Sequence, residues 1–296
     1  MKRPTMSKIQ YLIGVDGGGT GTRICIAGPD GVEKVRAEGA ASALGQGIDK
    51  AWLNIAQAIR AGFAELEIEP DFAQCAVGLG ISGVHNPVWA EEFRQKNPGF
   101  GKIVVETDGF STLLGATNGQ HGGIIAIGTG SIGEAWLPDG QRLEVGGWGF
   151  PTSDEGSGAF LGLKAINHVQ RIMDGRRPVT DFGRKLLSIT GQTKVEIFNW
   201  MGQMKQGECA SLSPVVMEFA ASDAYARAFL QDAGQEIEQI GQALRAQNPN
   251  LPLAICGGGL SEALRPFIPA DFLASTIRPQ KDSCAGALIL IYQALA

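Results

Sequence analysis

The sequence predicts an α/β protein made of two similar halves, and three patterns carry this prediction. Short continuous apolar runs at 75–81 and 102–107 are typical of strands covered on both faces. Apolar residues recur at helical spacing over 48–66. The third pattern is a strand, a glycine-threonine loop, a second strand and a Pro-Asp-Gly turn, and it occurs from residue 9 and again from residue 123. This recurrence indicates a duplicated domain, with coincidence as the alternative because Pro-Asp-Gly is a common turn.

The first half opens with a three-stranded meander. Its strands are predicted at 9–15, 22–27 and 32–38. The first connection holds four glycines between residues 17 and 21, more than a plain hairpin needs. The helix over 48–66 is followed by Pro70, and the two buried strands come next.

The second half repeats this start and then becomes mostly helical. A strand over 123–128 leads into a Gly-Thr-Gly-Ser loop, a short strand over 135–137 and a further strand over 142–145. Beyond Gly156 the pattern predicts one long helix over 222–247, a strand entering a glycine-rich turn over 253–260 and a terminal helix over 283–296.

Composition narrows the class of protein. A chain of 296 residues with 44% apolar residues can bury one or two sizeable cores. The net charge of −5 argues against a nucleic-acid surface, which needs concentrated Lys and Arg. No apolar run approaches the roughly 20 residues of a membrane span, and the run after Lys2 and Arg3 is too short for a signal peptide. We therefore expect a cytoplasmic protein, with Met6 as an alternative start to Met1.

The cysteines and histidines suggest neither disulfides nor a zinc site. The five cysteines are an odd number without paired spacing, and Cys25 and Cys256 lie in apolar strand-like runs. Buried reduced thiols are therefore expected. His85, His121 and His168 are scattered, with no Cys or carboxylate at ligand spacing.

The two glycine-threonine loops are candidate phosphate sites. In the first, 16–20 (DGGGT), glycines allow close approach of backbone N–H groups, Thr20 adds a hydroxyl, and Asp16 can hold Mg²⁺ through its waters. In the second, 128–131 (GTGS), the same chemistry recurs. A glycine-rich hairpin without a ligand is the alternative for the first loop, and the recurrence disfavours it.

Three further motifs each have two interpretations. Asp108 follows a buried strand and is a candidate base for an alcohol proton, or the N-cap of a helix starting near Gly109. Asp154 and Glu155 lie in a glycine-flanked turn that could bind polyol hydroxyls, or they are first-turn acids of a helix. The 256–259 segment (CGGG) either approaches the adenosine of a nucleotide or is a tight strand-to-helix turn.

Taken in order, the motifs GVDGGGT, VVETD, IGTGS, GGWGFPTSDEGSG and CGGG resemble those of the bacterial glucosamine and N-acetylglucosamine kinases, within the actin, hexokinase and heat-shock ATPase superfamily. The resemblance covers nearly the whole chain. It implies an α/β fold of two ribonuclease-H-like lobes, a duplicated mixed five-stranded sheet with helices, around a central cleft. The expected lobes are 1–115 plus the terminal helix 282–296, which would pack back on them, and 116–281.

The resemblance also assigns roles to individual residues. It implies an ATP-dependent kinase in which Asp108 is the catalytic base and Asp16 organises Mg²⁺. The residues expected to hold ATP are Gly17, Gly18, Gly19, Thr20, Thr129, Gly130, Gly258 and Gly259. Those expected to face the sugar are Ser42, Asp108, Ser131, Gly147, Trp148 and Asp154.

One departure bears on the substrate, which is expected to be a small-molecule amino sugar. Family members usually carry an Asn that touches a sugar hydroxyl near the position of Ser42. Loss of that amide, together with carboxylates at Asp154 and Glu155 that would favour a cationic amine, predicts glucosamine over N-acetylglucosamine. N-acetylglucosamine kinase stays open as an alternative. So do an ATP-hydrolysing reductase activator with an iron–sulfur cluster and a non-catalytic sugar sensor, and a homodimer is one expected assembly.

Overall fold

The computed structural model describes residues 9–295, so the two candidate start methionines, Met1 and Met6, lie outside the described residues. The chain forms two compact units. The first comprises the described residues up to His121 and those from Arg278 onward, and the second is Gly122–Ile277. The first unit is therefore built from two separate stretches of chain, whereas the second is continuous.

The first unit contains a five-stranded mixed sheet. Its elements are β1 (Tyr11–Gly17), β2 (Thr22–Ala27), β3 (Glu33–Gly39), α1 (Ile48–Glu65), β4 (Cys75–Ile81), α2 (Pro87–Gln95), β5 (Lys102–Glu106), α3 (Asp108–Ala116) and, from the end of the chain, α12 (Ser283–Gln293). The strand order is β3-β2-β1-β4-β5, with the meander antiparallel and β1, β4 and β5 parallel. The predicted meander and the buried strand β4 are confirmed, whereas β5 forms as predicted but lies at the edge of the sheet, and of its residues only Val105 is buried.

Helix α1 covers one face of this sheet with the apolar side chains that its spacing predicted. Ile55, Ile59 and Phe63 are fully buried in the core with β1, β2 and β4. Trp52 stacks on Phe93 of α2 and donates its indole N–H to the Phe93 carbonyl at 2.8 Å. The indole is thus buried with its one donor satisfied, as a buried Trp requires.

The second unit repeats the start of this architecture and adds a helical layer. Its elements are β6 (Gly122–Ile127), β7 (Ser131–Trp136), β8 (Arg142–Gly146), α4 (Gly158–Met173), α5 (Asp181–Thr190), α6 (Lys194–Gln203), α7 (Gln206–Ala210), α8 (Ser213–Glu218), α9 (Ala224–Leu244), β9 (Leu253–Gly257), α10 (Gly259–Leu264) and α11 (Ala270–Ala274). The sheet order is β8-β7-β6-β9, with β6 and β9 parallel. Helix α9 is the predicted long helix, and β7 begins earlier than predicted, at Ser131.

The two sheets confirm the predicted α/β duplication, but the second sheet has four strands where five were expected. The fifth position is reduced to one parallel bridge between Ala254 and Ile277. Ile277 is followed within two residues by Pro279, which cannot donate to a strand ladder, so the pairing does not extend. Among residues 9–295, no helix combines the length and apolarity that crossing a membrane requires.

Candidate functional site

Three polar residues of the first unit meet at one edge of its sheet. Asp16 lies near the end of β1, Ser82 directly follows β4, and Asp108 follows β5 after one residue. Because these strands are parallel, their carboxyl ends share an edge, which is where ligand sites of open α/β sheets gather. The sequence predicted two of these residues and missed Ser82, although its position after a buried strand is the same signal.

Asp16 is paired across the sheet with Arg23. The two residues are register partners in β1 and β2, so their side chains share a face. Arg23 donates from Nε at 3.0 Å and from a second guanidinium nitrogen, both to Oδ2 of Asp16. Burial raises the pKa of the Asp16 carboxyl, Arg23 opposes this, and the negative charges of Asp108 and Asp282 add to it. Asp16 is therefore a carboxylate held close to other acids and stabilised by one cation.

Asp108 is a half-buried carboxylate with specific donors. The Gly109 N–H donates to Oδ1 at 3.1 Å, and the Ser82 hydroxyl donates to the same carboxylate. Burial raises the pKa of Asp108, while these hydrogen bonds and the charge of His85 pull it back down. Asp108 is not the N-cap of α3, because Thr107 holds that position and its hydroxyl accepts the Phe110 N–H at 3.0 Å. The carboxylate is thus free of a capping role.

The first glycine-threonine loop is anchored by hydrogen bonds to its carbonyl groups, and its last two residues are exposed to solvent. Ser42 N–H and Ala43 N–H donate to the Gly18 carbonyl at 3.1 and 3.2 Å, and Gln46 donates to the Gly19 carbonyl at 2.8 Å. Gly19 and Thr20 are exposed. Gly17 differs from them, because it is the buried last residue of β1.

Ser42, expected near the sugar, lies beneath this loop. It is 1% exposed, and its hydroxyl oxygen lies 2.7 Å from that of buried Thr22. A Cβ at Gly17 would overlap the Ser42 hydroxyl, so the two residues pack directly. In this conformation the Ser42 side chain supports the loop from inside the unit.

The second loop, 128–131, is built in the same manner from different partners. The N–H groups of Gly158 and Ala159 donate to the carbonyls of Gly128 and Thr129, each at 3.0 Å. Ser131 is buried, and its hydroxyl donates to the Glu155 carbonyl at 2.6 Å. Gly128 and Thr129 are exposed. The first two residues of the loop are therefore exposed to solvent, while the start of α4 anchors the loop through hydrogen bonds to its carbonyl groups.

Asp154 lies behind this loop. It is 4% exposed, has a positive φ of 72°, and accepts hydrogen bonds from Ser131 N–H at 3.3 Å and from Gln206 Nε2 at 2.8 Å. Helix α4 begins at Gly158 with Ser157 as its N-cap, so Asp154 and Glu155 precede its first turn. The alternative that these acids serve the helix dipole is therefore wrong. Gln206 gave no signal in the sequence, because it is an isolated polar residue 52 positions from its partner.

Trp148 is the most exposed aromatic residue among those noted for the site. It is 88% exposed and lies between Gly147 and Gly149, whose φ angles are 72° and 92°. These left-handed conformations, which favour glycine, turn the chain so that the indole projects into solvent. An exposed indole on such a loop is a flat apolar surface available to a ligand.

The three glycines of the 256–259 turn, at the end of β9, have solvent-exposed backbone. Gly257, Gly258 and Gly259 are exposed, and a Cβ added at Gly258 or Gly259 would meet no atom within 4 Å. Gly258 is the N-cap residue of the short helix α10 and has no side chain to cap it. A ligand can therefore approach the main chain here directly.

The five cysteines are free and buried, as the sequence predicted. Burial raises the pKa of the Cys75 and Cys256 thiols to about 12 and that of Cys209 to about 11. Within residues 9–295, no group of three His, Cys, Asp or Glu side chains could hold a metal ion. Because they are buried, the five thiols are not available at the protein surface as ligands of a metal or a cluster.

The two sheets share the same core strand order, and in each the first strand leads into a glycine-threonine loop. Together with the carboxylates of Asp16 and Asp108 at strand ends, this arrangement defines an α/β protein of the actin and hexokinase class. The chain belongs to the BadF/BadG/BcrA/BcrD ATPase family, whose sequence model matches residues 13–290. The resemblance seen in the motifs is thereby confirmed.

Individual relatives cover almost the whole chain. The chain is 29% identical over 284 residues to the glucosamine kinase of Vibrio cholerae, covering 95% of each protein. It is 26% identical to the N-acetylmuramic acid/N-acetylglucosamine kinase of Clostridium acetobutylicum, over 95% of this chain and 98% of that one. A crystal structure from Chromobacterium violaceum, described as a candidate N-acetylglucosamine kinase, is 46% identical with a TM-score of 0.90, over 96% of this chain and 99% of that one.

Proposed function

We propose that this protein is an ATP-dependent sugar kinase that phosphorylates the 6-hydroxyl of a hexosamine, with glucosamine preferred. The observation that carries the proposal is the position of Asp108, a half-buried carboxylate held by Ser82 and Gly109 at the sheet edge that also carries Asp16. The relatives that each cover 95% of the chain are sugar kinases by description, which supports the same reaction class.

Asp108 acts as the general base. It accepts the proton of the sugar hydroxyl as that oxygen forms a bond to the γ-phosphorus, and the bond to the bridging oxygen of ADP breaks. Burial keeps the pKa of Asp108 above its ordinary value, which brings its basicity nearer to what proton transfer needs, while the Ser82 hydroxyl orients the carboxylate. Positioning of the two reactants supplies much of the remaining rate enhancement.

The donor set at Asp16 fits Mg²⁺, which in nucleotide sites takes one or two carboxylates together with waters and phosphates. Both Arg23 contacts use Oδ2, and among the described residues Oδ1 has no partner. Asp16 would hold the ion through its water shell, and the ion would neutralise developing phosphate charge.

We propose that the nucleotide is held by the exposed backbone of both glycine-threonine loops and of the 257–259 turn. The residues are Gly18, Gly19 and Thr20, Thr129 and Gly130, and Gly258 and Gly259. Gly17 would contribute by keeping the first loop close to Ser42.

For the sugar we propose Trp148 and Gly147, whose loop is exposed, together with Asp108. Ser131 would contribute indirectly, because it is buried and its hydroxyl donates to the Glu155 carbonyl. Glu155 is only partly buried and its carboxylate accepts from Ser153 at 3.1 Å, so of the two acids in this turn it is the more accessible to a cationic amine. Ser42 would act indirectly, because its side chain is buried.

Coupled ADP release measured with glucosamine, N-acetylglucosamine and glucose tests this function. We expect the highest kcat/KM for glucosamine, because the Glu155 carboxylate would favour a cationic amine over an N-acetyl or hydroxyl group, and one charge-assisted hydrogen bond changes preference by roughly ten- to a hundredfold. If kcat/KM is highest with N-acetylglucosamine, the substrate assignment is reversed but the assignment of kinase activity is unchanged. No sugar-dependent ADP release with any of the three would contradict the kinase itself.

A reductase activator is the competing function, and the thiols argue against it. Such a protein holds an iron–sulfur cluster through surface cysteines, whereas the cysteines here are buried. A colourless purified protein, without absorption near the charge-transfer region of iron–sulfur clusters, is the expected result.

A further inference from the structure

Arg23 is the direct partner of the carboxylate that is expected to serve the metal ion. Its Nε donates to Oδ2 of Asp16 at 3.0 Å, and a second guanidinium nitrogen donates to the same oxygen. The Arg23 side chain is 55% exposed, whereas that of Asp16 is 11% exposed. The carboxylate is therefore enclosed by its surroundings, and the guanidinium is the partner that solvent and ligands can reach.

The sheet offers Arg23 two acids, and it pairs with one of them. In the strand register, Arg23 of β2 lies between Asp16 of β1 and Glu38 of β3. Residues in register on neighbouring strands share a face of the sheet. Glu38 is exposed, and among the described residues it has no ion-pair partner. Arg23 contacts the more buried acid, whose poorly solvated charge gains more from a cation.

Other negative charges lie near this pair. Burial raises the pKa of Asp16, and Arg23 opposes this shift. The charges of Asp108 and Asp282 add to the rise, so both acids are close enough to act on Asp16. Asp282 has a cation of its own, because it accepts a hydrogen bond from Arg36. Without Arg23, the carboxylates of Asp16 and Asp108 would attract a free divalent cation before any nucleotide is bound.

We propose that Arg23 makes metal binding at Asp16 depend on the nucleotide: in the nucleotide-free protein it occupies the Asp16 carboxylate and repels free divalent ions. The inference rests on the proposed function. The first glycine-threonine loop joins β1 to β2, so phosphate bound by that loop would lie beside Arg23. The phosphates add negative charge that offsets the repulsion, and their oxygens are new acceptors for the guanidinium. The ion is therefore bound together with the nucleotide.

Binding of Mn²⁺, an EPR-active substitute for Mg²⁺, tests this inference on the whole protein without turnover. Arg23→Gln removes the charge, and the fold is expected to persist because an exposed ion pair contributes little to stability. Without nucleotide, Mn²⁺ should bind R23Q about tenfold more tightly than wild type, since a unit charge beside a divalent ion changes its affinity by roughly this factor in a solvated site. The further gain in Mn²⁺ affinity on addition of ADP should be smaller in R23Q than in wild type.

Three further variants show whether charge at this position is the cause. Arg23→Lys keeps the charge, and its Mn²⁺ affinity should stay within about threefold of wild type. Arg184→Gln is the matched control, because it removes an exposed ion pair with Asp181 in the second unit and should leave Mn²⁺ affinity unchanged. Asp16→Asn in the R23Q background should abolish the gain, which would locate the ion at Asp16.

The outcomes separate this inference from the proposed function. Equal or weaker nucleotide-free Mn²⁺ binding in R23Q, with wild type binding Mn-ADP, would overturn the inference alone. A gain that persists in the R23Q/D16N double variant would also overturn it, because the ion would then lie elsewhere. Failure of the wild-type protein to bind Mn-ADP would contradict the proposed function and remove the inference with it.

Discussion

Asp108 shows how one side chain acquires a chemical role from its neighbours. Aspartate at the end of a strand is common, and the sequence left a capping role open for it. The structure assigns the cap to Thr107 and surrounds Asp108 with two donors that fix its orientation. The carboxylate is thereby oriented and partly desolvated.

Replacement of this base leads to the first prediction at the residue scale. In Asp108→Asn the amide oxygen can still accept the Gly109 N–H, so fold and nucleotide binding are expected to persist. Turnover is expected to fall by about 10²–10⁴-fold, the usual contribution of a positioned base. Steady-state kinetics beside Asp49→Asn, a change at an exposed aspartate, provides the comparison. Near-normal turnover in D108N would remove Asp108 from the mechanism.

His168 leads to a second residue-scale prediction, on pH. It is fully buried among Phe182, Tyr225 and Phe229, and its Nδ1 lies 2.6 Å from Arg177. Burial, together with the Arg177 charge, lowers its pKa from 6.5 to about 4. In the unfolded chain His168 takes up a proton below about pH 6.5, while in the folded state it does so only near pH 4. Stability from this residue is therefore complete above pH 6.5 and is lost as the pH falls towards 4.

Urea unfolding at pH 7.5 and 4.5 measures this effect. Between these values the wild-type protein should lose about 2–3 kcal/mol through His168, since one pKa unit corresponds to about 1.4 kcal/mol. His168→Asn keeps a hydrogen-bond acceptor for Arg177 and cannot titrate. Its stability should therefore fall between these two pH values by about 2–3 kcal/mol less than that of the wild-type protein. His85→Asn, at an exposed histidine, should behave as wild type. Equal pH dependence in wild type and H168N would contradict the assignment.

At the scale of elements, helix α12 is joined to the first sheet by close backbone approach. A Cβ at Gly14 of β1 would overlap the Cys284 carbonyl, and one at Gly78 of β4 would overlap the Ala287 carbonyl. On the opposite side Gly286 lies against the Ser111 carbonyl of α3. Glycine on both partners is what allows a helix to pack this tightly, so the last segment of the chain belongs to the core of the unit that its first segment begins.

Gly78→Ala tests this packing. The added methyl group meets backbone and not a flexible side chain, so α12 has to shift, and we expect a destabilisation of about 1–3 kcal/mol. Gly202→Ala is the control, because Gly202 is in helix α6 and an added Cβ there meets nothing within 4 Å. That variant should be neutral or stabilised by about 0.4–1 kcal/mol. Chemical denaturation compares the two, and equal stability would show that the sheet and helix can adapt.

At the scale of the whole molecule, the duplication is the feature that the sequence and the structure share. Both sheets have a three-stranded antiparallel meander whose first strand also pairs with a parallel strand, and in both the first connection is a glycine-threonine loop. The sequence also predicted α1, α9 and the strand runs, since their apolar spacing is local and strong. The five strands that the family resemblance implied for the second sheet were one too many, because the pairing at Ile277 is a single bridge and strand pairing depends on the partner strand as much as on a segment's own residues.

The sequence by itself determined the α/β class, the two loops with their outward glycines and the two acids at Asp16 and Asp108, because each follows from residues adjacent along the chain. Only the tertiary structure decided which polar side chains face inward. Ser42 is buried by Thr22, 20 positions away, and Asp154 is held by Gln206, 52 positions away. A side chain's burial and hydrogen bonds depend on elements that meet only in the folded protein, and residue spacing carries no record of them.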